Sequence, residues 1–135
     1  MNPELFLNWM FAELSGNESL SDLVADRIFP DAAPGGTANP CVVYQFLPEE
    51  FEDVLDSGAV GDGAFAVQFR CYGSTRKDAN AVREAIRQAF QNRAPEAITE
   101  VLRMTGTRWS DAEYTFDRET EDYGSLAVVA FYLGG

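Results

Sequence analysis

The feature that most constrains this sequence is the stretch from Ala64 to Phe90, in which a strand pattern gives way to a helix pattern across one short connection. Its first half alternates apolar with more polar residues, and this period of two is typical of a strand with one buried face. The predicted inward residues are Phe65, Val67, Phe69 and Cys71, and the predicted outward residues are Ala66, Gln68, Arg70 and Tyr72. Gly73 ends the alternation. The rest of the chain must pack on this strand and the helix after it.

The second half of the stretch has the capping and the periodicity of a helix. Ser74 or Thr75 is placed to cap it, and Asp78 follows Thr75 at the spacing of a capping box. The apolar residues recur at helical spacing and define one buried stripe. They are Val82, Ile86, Ala89 and Phe90. The sequence therefore predicts an α+β fold, with helices packed on one face of an antiparallel or mixed sheet.

Length and apolar content predict a single domain that spans residues 1–135. The chain has 135 residues, 46% of them hydrophobic, which suffices for one ordinary core but not for two. The start, Met1 to Glu4, carries no basic residue, and the longest apolar run is Leu126 to Leu133. A membrane span needs roughly 18 apolar residues. We therefore expect neither a secretory signal nor membrane insertion.

The charge of the chain argues against sequence-specific binding of DNA or RNA. The formal net charge is −12, with 22 acidic residues against nine arginines and one lysine. Such a surface repels nucleic-acid phosphates, although a local basic patch remains compatible with it.

Residue types also argue against catalysis, cofactor binding and a metal site. The chain has no histidine, which removes the usual general base and most metal sites. The two cysteines, Cys41 and Cys71, have no metal-binding spacing and are expected to stay reduced in a cytosol. The run Asp117-x-Glu119-x-Glu121 resembles a calcium loop, but Asp122 stands where such loops need glycine. We interpret it as a solvated turn, and we expect a protein that is not an enzyme.

Two helical segments are predicted before the first strand. Asn2 and Pro3 suit the start of a helix that runs from Pro3 to Leu14. Its apolar residues spread around much of its circumference. They are Leu5, Phe6, Trp9, Met10, Phe11 and Leu14. Either the helix is buried between the sheet and its own loops, or part of it meets a neighbouring subunit. A short helical turn is predicted for Ser19 to Val24, with Ser19 as its cap and Ile28 to Pro30 as its end.

The middle of the chain predicts a loop, a strand and a long acidic insertion. Breaker residues make Asp31 to Pro40 a loop, and Cys41 to Leu47 is a strand. Val42, Tyr44 and Phe46 share one face of that strand. Pro48 to Gly63 is long for a hairpin turn and predicts a projecting arm or loop. Its acids are Glu49, Glu50, Glu52, Asp53, Asp56 and Asp62.

Three arginines lie on one flank of the helix that follows Thr75. Arg76, Arg83 and Arg87 fall within about 40° of one another at helical spacing. They form either a solvated flank or a basic stripe that meets the acidic arm of an adjacent copy. The second possibility would be a heterologous contact of the kind that closes rings. The candidate assembly contacts are therefore these arginines together with the six acids of the arm.

The last third of the chain predicts strands. Ala97 to Thr107 fits both a strand and a helix, and we interpret it as a strand. Ala112, Tyr114 and Phe116 alternate with polar residues, which predicts a strand with one wet face. Arg118 to Gly124 turns the chain. Leu126 to Leu133 is apolar on both parities and suits a strand covered on both faces, or on one face with an interface on the other.

The order of these elements resembles that of a known family. The motifs are Ile28-Phe29-Pro30, Ala33-Pro34-Gly35-Gly36, Asn39-Pro40-Cys41-Val42-Val43-Tyr44 and Val67-Gln68-Phe69-Arg70-Cys71-Tyr72, followed by a helix rich in alanine and arginine. Over nearly the whole chain, this succession resembles the tail terminator proteins of long-tailed bacteriophages, also called tail-completion or tail-to-head joining proteins.

The resemblance implies a structural protein of the virion tail or neck that assembles in the cytoplasm of the host bacterium. It implies a homo-oligomer, typically a hexameric ring, which sits on the head-proximal end of the tail tube. Its partners would be the tail tube protein and the head-tail connector or head-closure protein. DNA would pass through the channel without specific binding, helped by an acidic lining. No membrane, cofactor or small-molecule substrate is implied.

Two other interpretations stay open on the sequence. One is a different phage neck or minor tail protein, such as a head-closure component. The other is a small bacterial adaptor or ligand-binding domain.

Overall fold

The computed structural model describes residues 3–47, 64–91, 93–98, 103–118 and 122–134. These residues form an α+β fold, as the sequence predicts. The helices are α1 Pro3–Ser15, α2 Glu18–Val24 and α3 Arg76–Phe90. The strands are β1 Ile28–Pro30, β2 Cys41–Phe46, β3 Ala64–Gly73, β4 Glu96–Ala97, β5 Arg103–Asp117 and β6 Asp122–Gly134.

The described strands form one mixed sheet in the order β1-β2-β3-β6-β5-β4. Strands β1 and β2 pair in parallel, and every other neighbouring pair is antiparallel. The apolar strand β6 is therefore central, between β3 and β5. Its residues Ala127, Val129, Phe131 and Leu133 are buried, whereas Leu126, Val128 and Tyr132 on the other face are only partly covered.

The unit made by β3 and α3 agrees with the prediction. All four predicted inward residues of β3 are buried, and Ala66 on the opposite face is buried as well. Thr75 is the N-cap, and its Oγ1 accepts a hydrogen bond from the Asp78 amide at 3.1 Å. A glycine is required at position 73 for a steric reason that the sequence pattern did not show. A Cβ there would lie 2.6 Å from the Ala79 backbone nitrogen, so only glycine allows α3 to begin this close to the strand.

The core lies between the sheet and the helices on one of its faces. The Phe90 ring of α3 is stacked on Phe69 at a centroid distance of 5.8 Å and meets Phe131 edge-on at 5.2 Å. From α1, Phe6 contacts Phe65 at 5.1 Å and Phe131 at 4.9 Å. Aromatic rings from two helices and two strands thus pack as one cluster.

Helix α1 shows both kinds of surface that its sequence pattern allowed. Phe6, Met10 and Leu14 are buried against the core. Leu5 and Phe11 keep 42% and 44% of their surface exposed. The fold therefore covers most of the apolar circumference of α1 but leaves two large side chains uncovered.

Two details before β2 correct the sequence interpretation. Helix α2 is capped by Asn17 rather than Ser19, because the Asn17 side chain accepts a hydrogen bond from the Leu20 amide at 3.0 Å. Ile28–Pro30 ends the helical region as expected but is itself a strand, paired with Val42 to Tyr44. A run of three residues carries too little alternation for a strand to be predicted.

The partly polar strand 112–117 is a strand, but the prediction that one of its faces is covered is wrong. Tyr114 and Phe116 keep 50% and 48% of their surface exposed. The reason is lateral position: α3 packs on β3 and β6, through Phe69 and Phe131, and β5 lies on the far side of β6. Helix α3 begins close to the hairpin end and reaches Tyr114 through Arg76 and Arg83, which leave half of that ring exposed.

The remaining predictions in this region are met in part. The ambiguous segment 97–107 has strand structure at Ala97 and from Arg103 onward, and residues 99–102 lie outside the described part of the chain. The predicted turn at 118–124 is shorter than expected, because β6 begins at Asp122. The predicted arm, Pro48 to Gly63, and the proposed cap Asn2 also lie outside the described residues.

Strands β2 and β3 pair as expected, with a shift in register. Leu47 opposite Ala64 would place Cys41 opposite Arg70, but Cys41 pairs with Tyr72. A shift of two residues preserves the faces. Cys41 and Cys71 therefore lie on opposite faces of the sheet, as predicted, and both are free and buried.

Phe69 and its neighbour Gln68 provide a direct test of which face of β3 is buried. Phe69→Ala removes a ring with no exposed surface and should lower the free energy of unfolding by about 3–5 kcal/mol. Gln68→Ala, on the opposite face, should cost about 0.5 kcal/mol. Urea unfolding of both variants measures the difference. Equal stabilities of the two variants would contradict the assignment of Phe69 to the buried face of β3.

The two thiols should be free and slow to react in the folded protein. Burial raises the pKa of Cys71 well above its ordinary value, and burial, aided by the charge of Asp122, raises that of Cys41. The thiolate is the reactive form, so a raised pKa lowers the reaction rate at neutral pH. Labelling at pH 7 should be at least about tenfold slower in the folded than in the denatured state. Finding no free thiol in denatured, unreduced protein would contradict this.

Candidate assembly surfaces

The exposed end of the β5–β6 hairpin carries an unusual cluster of aromatic and cationic side chains. The guanidinium carbons of Arg76 and Arg83 lie 5.9 and 5.2 Å from the centre of the Tyr114 ring. Arg83 Nη2 also donates a hydrogen bond to the Tyr114 hydroxyl at 3.1 Å. Two cations on α3 are thus held against one aromatic ring of β5, at distances typical of cation–π interactions.

A second aromatic pair lies beside Tyr114 on the same face of the hairpin. Phe116 pairs with Tyr123 across the two strands, and their ring centres are 4.7 Å apart. We call the set of Arg76, Arg83, Tyr114, Phe116 and Tyr123 the tip cluster. It combines half-exposed aromatic surface with two guanidinium groups, a composition that is enriched in protein interfaces.

The structure divides the predicted basic stripe. Arg76 and Arg83 belong to the tip cluster. Arg87 lies one turn further along α3, where its Nε donates to Gln91 at 2.8 Å and its Nη1 lies 3.6 Å from Glu84. The predicted stripe therefore divides: Arg76 and Arg83 face the hairpin, and Arg87 pairs with residues near it in sequence.

The acidic candidates cannot be placed in the same way. All six predicted acids lie within residues 48–63, outside the described part of the chain. The structure does place the two ends of this segment. The Leu47 amide donates to the Ala66 carbonyl at 2.9 Å, and Ala64 opens β3 opposite Tyr132. The segment therefore leaves and re-enters the sheet at the end far from the tip cluster.

The sequence interpretation did not predict that Tyr114 and Phe116 of the tip cluster are exposed. Alternation placed Tyr114 and Phe116 on an inward face, and that parity does point to the helical side of the sheet. What alternation could not show is that α3 reaches Tyr114 through two arginine side chains, which leave about half of the ring exposed. The only available signal was the high charge around them, at Asp111, Glu113 and Asp117.

Arg93 is a further contact that the sequence did not indicate. Its Nη2 lies 2.9 Å from Glu13 of α1 and 2.5 Å from Glu96 of β4, and its guanidinium lies over the Trp9 ring at 5.4 Å. Burial alone would lower the pKa of Arg93, but hydrogen bonds and charges from the two glutamates raise it. This contact ties α1 to the edge of the sheet. Because Glu13 is 80 residues away in sequence, no local pattern could reveal it.

The opposite face of the sheet has a recess of about 360 Å³ beneath the loop 31–40. Arg70 and Tyr72 of β3 line it, with Asp122 on its rim. Several of its polar groups are engaged within the fold. Arg70 Nη2 donates to the Asp31 carbonyl at 2.7 Å, and Asn39 Nδ2 donates to Asp122 at 2.5 Å. These contacts fasten the loop to the sheet.

Metal and membrane sites are not indicated by the described residues. Among them, no three histidine, cysteine, aspartate or glutamate side chains lie close enough together to hold a metal ion. None of the described helices has the length and apolar character of a membrane span.

Comparisons with known proteins point to one family. The profile of the family "Tail completion protein gp17" matches residues 9–132. A chain in the structure of the virion of a native gene transfer agent particle is similar in fold, with a TM-score of 0.68 and 18% sequence identity over 93% of this chain and 91% of that chain. No curated protein matches the sequence. Because the family profile covers the chain from α1 to β6, the protein belongs to the tail completion protein gp17 family, and its role is a structural one in completing a phage tail.

Proposed function

We propose that this protein assembles into a ring, typically a hexamer, on the head-proximal end of the tail tube. There it stops tube polymerisation and presents a surface to the head-tail connector or head-closure protein. The observation that carries the proposal is the tip cluster, an exposed aromatic and cationic surface on a chain of net charge −12. Such a surface suits contact with another protein better than exposure to water.

The proposed contact joins different surfaces of neighbouring copies. The acids of segment 48–63 leave the sheet at one end, and Arg76 and Arg83 lie at the other. Opposite charges at opposite ends favour head-to-tail association, which closes into a ring when the rotation between copies is suitable. We propose the six acids, with Arg76 and Arg83, as assembly contacts. Arg87 is a weaker candidate, because Glu84 of α3 and Gln91, the C-cap of that helix, engage it.

The same proposal places the protein in the neck of the virion, after assembly in the bacterial cytoplasm. The gene transfer agent chain of similar fold is itself part of a virion, which supports this location. DNA would pass through the ring without specific binding, because the negative net charge repels phosphates. We propose no enzymatic activity. The family match favours tail completion over the alternatives of a head-closure component or a bacterial adaptor domain.

Removal of the acidic segment tests the proposal. Replacing Pro48 to Gly63 by an Asn-Gly turn should leave a folded protein, because Leu47 before the segment is hydrogen-bonded to Ala66, two residues after Ala64, so a short connection can close. The shortened protein should fail to complement loss of the gene. Tails made in its presence should be overlong or unattached to heads, as measured by electron microscopy of particles and by plaque counts.

The matched control is Arg108→Glu, a charge change at an exposed position of β5 outside the proposed contact. It should complement normally. Circular dichroism and thermal melting check that both variants are folded. Infectious particles with normal tail length from the shortened variant would contradict the assembly role of the segment.

A further inference from the structure

We propose that the tip cluster is the docking site for residues 48–63 of a second copy of this chain. The inference rests on the proposed function and deepens it, because it names the receiving surface and its occupant. The receiving surface is the face of the hairpin end that carries Tyr114 and Phe116, together with Arg76 and Arg83 of α3.

The chemistry of the tip cluster selects a partner that is both acidic and apolar. Arg76 is exposed, and its guanidinium and that of Arg83 are held by the Tyr114 ring and hydroxyl. Guanidinium groups oriented in this way are well placed to bind carboxylates in a bidentate manner. Phe116 adds half-exposed apolar surface next to them. A purely polar partner would leave this ring uncovered, and a purely apolar partner would remove water from the exposed Arg76 guanidinium without offering it a carboxylate.

Residues 48–63 have the complementary composition. The segment contains six acidic residues and no lysine or arginine. Between the acids stand four larger apolar residues, Phe51, Val54, Leu55 and Val60. No other stretch of 16 residues in the chain combines as many acids with the absence of any basic residue. The segment therefore offers carboxylates for the arginines and apolar side chains for the aromatic rings.

Geometry opposes docking of the segment on its own tip cluster. Phe116 is level with Tyr123 and Gly73, whereas the segment is anchored at Leu47 and Ala64. At about 3.3 Å per residue along a strand and about 4.8 Å between strands, the straight distances from both anchors to Phe116 together reach about 58 Å. The 17 steps from residue 47 to residue 64 span about 56–61 Å when fully extended. The copy's own segment would reach the level of Phe116 only as a taut chain, with no slack to pass around the packed helices.

Docking in trans has no such restriction, and it creates a directional contact. Each copy would give its segment to one neighbour and receive the segment of another. This arrangement is heterologous, so it propagates around a ring and cannot be satisfied by a symmetric pair of copies. This direction distinguishes the proposed contact from unspecific hydrophobic association of the exposed aromatic residues.

The test uses two full-length variants, each lacking one half of the contact. The donor-deficient variant has Pro48 to Gly63 replaced by Asn-Gly. The receiver-deficient variant is Arg76→Glu with Phe116→Ser, two exposed positions whose replacement should not disturb the core. Analytical ultracentrifugation should show self-association of each variant weakened by about 10- to 100-fold relative to the unmodified protein. Tyr114→Ala provides a second receiver variant, and Arg108→Glu should stay within about twofold of the unmodified protein.

Mixing the two variants at equal concentration tests direction. The intact segment of the receiver-deficient variant can dock on the intact tip cluster of the donor-deficient variant, and the chain of contacts then stops. A heterodimer that does not grow further is the expected result. A mixture that remains monomeric would overturn the proposal, as would normal self-association of both receiver variants.

The outcomes separate this inference from the proposed function. If the shortened variant fails to assemble while both receiver variants assemble normally, the ring stands and the docking site is elsewhere. Loss of assembly in a Leu5→Ser, Phe11→Ser variant, with normal assembly of the receiver variants, would place the contact on α1. If the unmodified protein neither self-associates nor binds isolated tail tubes, the proposed function itself fails.

Discussion

The fold depends on the contact that Phe90 makes between Phe69 and Phe131. These rings come from α3, β3 and β6, so one contact joins the main helix to the two central strands of the sheet. Phe6 adds α1 to the same cluster through Phe131. The sheet that the described strands form needs a cover over its apolar face, and this cover is held by aromatic packing at the end of α3. The C-terminal end of α3 is thus fixed in the core by Phe90, and Arg76 and Arg83, nearer its N-terminus, contact the hairpin at Tyr114.

The parts of the fold that follow from local pattern were predicted, and the parts that depend on distant residues were not. Strand β3, its inward face, the Thr75 cap and α3 all depend on residues within a few positions of one another. The Arg93 contact with Glu13 spans 80 positions. The register of β2 on β3 depends on how the chain between them closes, and the prediction missed it by two residues. Periodicity specifies which face of a strand points inward, but not where along its partner the strand begins.

The candidate site shows the same division. Helical spacing grouped Arg76 with Arg83, and the structure keeps them together. Their partner Tyr114 lies about 30 positions further on, and its alternation predicted a covered face. Alternation measures which residues share a side, whereas cover requires that another element reach that side. Because α3 packs on β3 and β6, the last residues of β5 keep the pattern of a buried face without being buried.

The net charge of the chain sets a requirement for any contact between copies. Two copies that each carry −12 repel one another, and salt at physiological strength screens this repulsion only beyond about 8 Å. A contact that relied on apolar surface alone would bring the acidic surfaces together without compensation. The tip cluster supplies cations and apolar rings at one place, so the acids of an approaching segment become an attraction at the point where the surfaces touch. In the proposed ring, the acidity of the chain would thus favour assembly at the tip cluster and oppose unspecific association at other surfaces.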